Sequence, residues 1–135
     1  MRSLKGYDFG AVTDRILKCA VEVHKELGPY FMETTYQAAL GLELTAEGLE
    51  FERECKVPIL YKGKRVDSRR VDFLVEDILV ETKAKAAIED VDIVQTLAYL
   101  KATDFKLALL INFGSKKIEV RRLTMEAADK GGQKC

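Results

Sequence analysis

Asp72, Glu81 and Lys83 lie in two short runs of strand character, Arg70–Val75 and Ile78–Lys83. If Glu76-Asp77 is the turn between them, facing residues have numbers that sum to 153, and Asp72 falls directly across from Glu81. Side chains alternate along a strand, so Lys83 shares the face of Glu81. Two carboxylates and an ammonium on one patch of sheet make a divalent-metal site with an amine beside it. That set suits phosphodiester hydrolysis. The carboxylates would hold an ion that polarises a phosphoryl oxygen and acidifies a bound water, and Lys83 would orient that water or stabilise charge on the phosphate. All-oxygen ligation fits Mg²⁺ or Mn²⁺.

The pair also needs an energetic account. Like charges opposed across a sheet destabilise it by roughly 0.2–1 kcal/mol on an exposed face. The cost is larger where the face is dry, and Val71, Phe73 and Val80 around the pair read as core. Something cationic must therefore offset the two charges: a metal ion, or Lys83 alone in a structural Lys–Glu bridge. Strings of the form D-x₈-E-x-K are common by chance, and placement on a hairpin is what gives this one content.

Other polar residues are candidates for the same site. The third helix, expected over Ile88–Ala102, has a sheet-facing stripe of Ile88, Val91, Gln95, Ala98/Tyr99 and Ala102. Gln95 interrupts that stripe, and a buried amide needs partners. Tyr99 puts a second polar tip one turn further on. Both could contact the attacking water, Lys83 or a phosphate; a helix-edge Gln with a half-buried Tyr is the plainer account. Glu33 opens the second helix three residues before Tyr36, where a helix-dipole preference would also put it. His24, the one histidine, lies on the inner face of the first helix as a further metal ligand or as a satisfied core residue.

The elements that must position these groups are legible in outline. Thr13 or Asp14 can cap a first helix to about Leu27, with Ile16, Ala20, Val23 and Leu27 as its stripe and Gly28-Pro29 as its stop. A second helix runs from about Met32 to Glu47, with Tyr36, Leu40 and Leu44 on one face and Gly48 behind it. Phe51–Tyr61 reads as a strand in which Pro58 implies an edge position or a bulge. Lys62-Gly63-Lys64 is a turn, and the carboxylate hairpin follows. After the third helix, Lys106–Phe113 is an unbroken apolar strand of the kind buried on both faces. Gly114-Ser115-Lys116 then turns into a last strand, Lys117–Leu123, and the tail 124–135 is expected to be frayed or partly disordered. The order α-α-β-β-β-α-β-β predicts one α/β domain over 1–123, a mixed central sheet flanked by helices.

Bulk properties narrow the setting. The 135 residues suffice for one domain, and 47% hydrophobic with 33% charged places the chain among soluble globular proteins. No apolar run approaches the ~18 residues of a membrane span, and MRSLKGYDFG lacks the apolar core of a secretory signal. A cytoplasmic protein without membrane contact is the expectation. Cys19, Cys55 and Cys135 are odd in number and form no CxxC pair, which speaks against a zinc knuckle or a disulfide framework. Net charge is zero, so the chain as a whole does not attract nucleic acid. Its charge is uneven, however: Lys62, Lys64, Arg65, Arg69 and Arg70 cluster before Asp72, and Lys116, Lys117, Arg121 and Arg122 cluster near the end. These are either solvated strand ends or, flanking a metal, grips for a phosphate backbone.

Together the residues resemble the PD-(D/E)xK nuclease superfamily, in particular its RecB-like branch. That branch combines a helix-borne Glu, an Asp on one strand, E-x-K on the next and Q-x-x-x-Y on the following helix. Here these are Glu33, Asp72, Glu81-Thr82-Lys83 and Gln95-Thr96-Leu97-Ala98-Tyr99. VHKELGP, ETTY, FERE followed by VPILYKGK, VDFLVED, QTLAYLK and LLINFG are similar, in order, to the small GxxExxY proteins of that superfamily, over roughly residues 14–123. The motif's Gly falls on Tyr30, leaving Glu33 and Tyr36 as its E-x-x-Y part, and the Asp-to-Glu spacing is one residue shorter than usual. The resemblance implies a restriction-endonuclease-like core and a Mg²⁺- or Mn²⁺-dependent nuclease acting on nucleic acid, most simply DNA. Asp72, Glu81 and Lys83 would be central, Glu33 and Gln95 would complete the shell, and Tyr99 would support it. A non-cleaving regulatory module on the same fold is the alternative, and a homodimer would extend the reach of so small a nuclease.

Overall fold

The computed structural model describes residues 9–125. In chain order the elements are α1 (Phe9–Leu27), α2 (Glu33–Ala46), β1 (Phe51–Tyr61), β2 (Lys64–Val75), β3 (Ile78–Lys83), α3 (Asp90–Lys101), β4 (Leu107–Asn112) and β5 (Glu119–Thr124). The five strands form one sheet in the order β1-β2-β3-β4-β5. All neighbours are antiparallel except β3 and β4. A parallel pair cannot be joined by a tight turn, and α3 supplies the crossover.

Every residue of β4 is buried, because helices cover both faces of the sheet. On one face Ile16, Ala20 and Val23 of α1 and Tyr36, Leu40 and Leu44 of α2 pack with Phe73, Val80, Leu109 and Ile111. On the other, Tyr99 and Leu100 of α3 pack with Val71, Leu79 and Ala108. The expected order of elements and the mixed sheet are what the structure has. Pro58 sits on the edge strand β1, beside a register shift at Ile59/Leu60, so both readings of that proline hold.

Four expectations need correction. The first helix begins at Phe9, four residues before the expected cap, and Thr13 is buried within it; the apolar spacing of Phe9, Val12 and Ile16 carries the stripe further back. β2 starts at Lys64 and continues the hairpin through a stretch too polar to read as a strand. The last strand starts at Glu119, two residues late, because Glu119 is the first residue to pair, opposite Asn112. The largest difference is α3, which spans Asp90–Lys101 and turns a different face inward. Its buried residues are Asp92, Thr96, Tyr99 and Leu100, while Val91 and Val94 are exposed, as are Gln95 and Ala98. Two contacts fix that rotation: Asp92 lies under Lys85, with Nζ–Oδ distances of 3.0 and 3.2 Å, and Tyr99 and Leu100 outweigh the two valines in apolar area. Of the expected tail, Thr124 closes β5, and residues 126–135 lie outside the described part.

Candidate active site

The turn is at Glu76-Asp77, and the expected register is observed: Val75 faces Ile78, Leu74 faces Leu79 and Phe73 faces Val80. The ladder ends there, one pair before the carboxylates. At that point each side chain replaces a rung. The Asp72 N–H donates to Glu81 Oε1 at 2.8 Å, and the Thr82 N–H donates to Asp72 Oδ2 at 2.8 Å. The strands part, and each carboxylate caps the other strand.

The cause of the parting lies in the neighbouring pair. Phe73 and Val75 face the α1/α2 core, yet Val71, of the same parity, faces α3. Side-chain alternation therefore slips at Asp72. β1 slips at the same level: Phe51 is on the α1/α2 side and Cys55 on the α3 side. Between them Glu54 has φ +55°, left-handed for a residue with a Cβ, and the β1–β2 register passes over Glu54 opposite Asp72. Irregularities of this kind re-aim a side chain and concentrate at functional sites.

Glu81 is 5% exposed. Burial, and then the Asp72 carboxylate, push its carboxyl up to about 8, against the opposing pull of the Asp72 N–H and Lys83. Glu33, half-buried at the first turn of α2, is raised by burial and by Asp72, with Lys83 again opposing. Tyr99, buried at 5% exposure, is raised by burial and by Glu81. Glu33, Asp72, Glu81, Lys83 and Tyr99 thus share one electrostatic environment, fed by α2, β2, β3 and α3.

Lys83 makes no ion pair with these carboxylates among the described residues; the one hydrogen bond of its side chain is a long one, 3.5 Å, to Gln95 Oε1. A Lys–Glu bridge does not neutralise the pair. Gln95 does reach Lys83, but from the solvent side of α3 and not as a break in a buried stripe. His24 goes elsewhere: its Nε2 donates to the Ser115 carbonyl at 2.9 Å, which accounts for its half-buried place.

Residues that the sequence reading passed over hold the site in shape. Thr82, on the opposite face of β3, donates its hydroxyl to Asp72 Oδ2 at 3.0 Å and accepts from Gln37 Nε2 at 3.0 Å; Gln37 in turn accepts from Arg53. Beyond Lys83, the fully buried Asn112 takes Lys85 N–H on Oδ1 and gives Nδ2 to Lys85 O and Glu119 Oε1. The Phe113 N–H donates to Lys83 O at 2.8 Å. A polar residue closing the apolar run LALLIN was the available signal for Asn112, as was Gln37 beside the apolar face of α2.

Asp72 Oδ1 and Glu81 Oε2 have no hydrogen-bond partner among the described residues. They are two carboxyl oxygens with no bridging cation from the protein, a donor set whose chemistry suits a hard divalent ion when Glu81 has given up its proton. Among the described residues no three His, Cys, Asp or Glu side chains converge as a ready-made cage. Mg²⁺ does not need one, since it is commonly held by one or two carboxylates with water and substrate phosphates as the remaining ligands.

The cations of the β1–β2 hairpin are exposed. Arg69 pairs with Asp67 at 3.3 Å and Arg70 with Glu54 at 3.8 Å, while Lys62 lies over the Tyr61 ring. Lys64 and Arg65 have no acidic partner among the described residues. Of the second cluster, Arg121 pairs with Glu119 and Arg122 with Asp14. No helix of the described part is long and apolar enough to cross a membrane.

The sequence model of the PD-(D/E)XK nuclease superfamily matches residues 10–123. No curated protein and no solved structure matches the chain.

Proposed function

Since the chain belongs to the PD-(D/E)XK nuclease superfamily, we propose that it is a divalent-metal-dependent nuclease that hydrolyses phosphodiester bonds, with DNA as its substrate. The observation that carries this reading is the Asp72–Glu81 pair, held by each other's strands with one oxygen apiece left free. Asp72 and Glu81 would hold Mg²⁺ or Mn²⁺, with Glu33 the third candidate ligand. When bound, the ion supplies Lewis acidity at a phosphoryl oxygen and lowers the pKa of a coordinated water. Lys83, half-buried and unpaired, orients the water or takes up charge on the phosphate, and Gln95 limits the directions its ammonium can point. Tyr99 closes the α3 side of the pair against bulk water. Lys62, Lys64, Arg65, Arg69 and Arg70 offer a backbone grip outside the reacting centre.

Mn²⁺ should raise the melting temperature of the wild type but not of Asp72→Ala or Glu81→Ala. Lys83→Ala should keep the Mn²⁺ shift and lose cleavage of supercoiled, linear or single-stranded DNA by at least about 100-fold, the lower range for removal of a charge-stabilising or acid–base group. No metal shift and no cutting would sink the proposal. Metal and DNA binding without cutting would leave a non-cleaving nucleic-acid-binding module.

A further inference from the structure

We propose that Tyr30, Phe31 and Met32 form a platform on which an unpaired base of the substrate strand stacks beside the Asp72–Glu81 pair. This rests on the nuclease reading and adds a substrate class to it: DNA with unpaired bases. Tyr30 is 84% exposed, Phe31 47% and Met32 77%. Three consecutive large apolar side chains turned to water are unusual for a loop with no partner.

The loop is held firmly. Gly28, at φ +68°, ends α1, with its N–H on His24 O at 2.8 Å. The hydroxyl of the fully buried Tyr36 donates to Gly28 O and accepts from the Phe31 N–H. Tyr36 itself is stacked on Phe113, with 4.9 Å between ring centres. The Tyr30 ring rests against the bare backbone of Gly28, where a Cβ would come within 2.8 Å of Cε2. A pre-set, exposed aromatic face binds a base at little cost in ordering.

Its position matters as much as its rigidity. Met32 adjoins Glu33, one helical turn before Gln37, whose Nε2 donates to the Thr82 hydroxyl that in turn donates to Asp72 Oδ2, each at 3.0 Å. Tyr30 Cα lies at most ~11 Å from Glu33 Cα along the chain. A stacked strand rises ~3.4 Å per nucleotide, so Tyr30 and the Glu33 backbone are separated by no more than about three nucleotides of such a strand. Only a base outside the duplex stack offers its face. Single strands, overhangs and flaps therefore fit this surface along their length, whereas a blunt duplex offers a base face only at its two ends. The three side chains carry no charge, so their contribution does not depend on salt.

Binding of a fluorescein-labelled single-stranded oligonucleotide and of a blunt duplex, followed by anisotropy in EDTA across a salt series, tests this without requiring cleavage. Tyr30→Ala should weaken single-strand binding about 5- to 100-fold, the range for loss of one stacked base, at an unchanged salt slope. Duplex binding should change by less than about twofold, and Tyr30→Trp should restore the single-strand affinity. Equal losses on both substrates, or no loss, would overturn the platform while leaving the nuclease reading intact. So would a change of mass in light scattering for Tyr30→Ala at unaltered oligonucleotide affinity, which would mark the patch as a contact between copies. If the wild type binds neither substrate, both readings fall together.

Discussion

At the scale of single residues, the metal-free site is a destabilising arrangement whose sign can be worked out. The Glu81 carboxyl is raised to about 8 by burial and by Asp72, well above its ordinary value. Between about pH 4.5 and 8 the folded chain keeps a proton that the unfolded chain has lost. This stabilising contribution is full below about 4.5 and is gone once the pH passes about 8. Glu81→Gln removes the dependence, so at pH 8 without metal it should melt several degrees above the wild type. The same proton competes with Mn²⁺, so the apparent affinity of the wild type should rise about tenfold per pH unit below about 8. Melting curves and Mn²⁺ titrations from pH 6 to 9 check both, and an affinity flat across that range would mean Glu81 is not a ligand. That Asp72 and Glu81 lie together was legible from the Glu76-Asp77 turn and its register, although alternation itself slips at Asp72. Thr82 and Asn112 were not, because their importance lies in hydrogen bonds, to the Asp72 carboxylate and to the Lys85 backbone respectively, that only the assembled sheet brings near.

At the scale of elements, the site depends on how β3 leaves the sheet. After Lys83 the chain turns under the β4–β5 connection, where a Cβ on Gly114 would sit 2.3 Å from Lys85 N and 2.5 Å from Ala84 C. Both atoms are backbone, so neither can swing aside. Gly114→Ala should therefore destabilise by about 1–3 kcal/mol and lower the melting temperature by roughly 4–15 °C. It should also shift Lys83, so cleavage measured well below the melting point should fall further than the unfolded fraction explains. Wild-type stability in this variant would show that the turn accommodates a Cβ at this position. The sequence marks Gly114 as a turn but cannot mark what it approaches. The same limit explains α3. Its periodic stripe of Val91, Gln95 and Ala98 is real but faces solvent, since the Lys85–Asp92 pair and the bulk of Tyr99 and Leu100 set the helix's rotation. Periodicity shows that a helix has an apolar face; it cannot rank two such faces on one helix.

At the scale of the whole molecule, a chain of zero net charge must still hold a polyanion if it is a nuclease, and the fold separates the charges that would do so. β3 pairs with β2 only over Phe73–Val75. The rest of the β1–β2 hairpin extends past the third strand as a two-stranded arm, with Val66 64% exposed near its tip. Arg69 and Arg70 are partly matched by Asp67 and Glu54, so the unmatched charge collects at Lys62, Lys64 and Arg65. A cation that meets a phosphate releases a counterion, and each contact contributes about 0.9 to the salt slope on a duplex and about 0.7 on a single strand. If the arm is a grip, Lys64→Gln with Arg65→Gln should lower that slope by roughly 1.4–1.8 and weaken binding most at low salt. The Mn²⁺-induced melting shift should not move, because neither residue contacts the carboxylates. A slope equal to the wild type's would mean that the arm points away from the nucleic acid, and that its cations serve only to keep an exposed hairpin edge in solution.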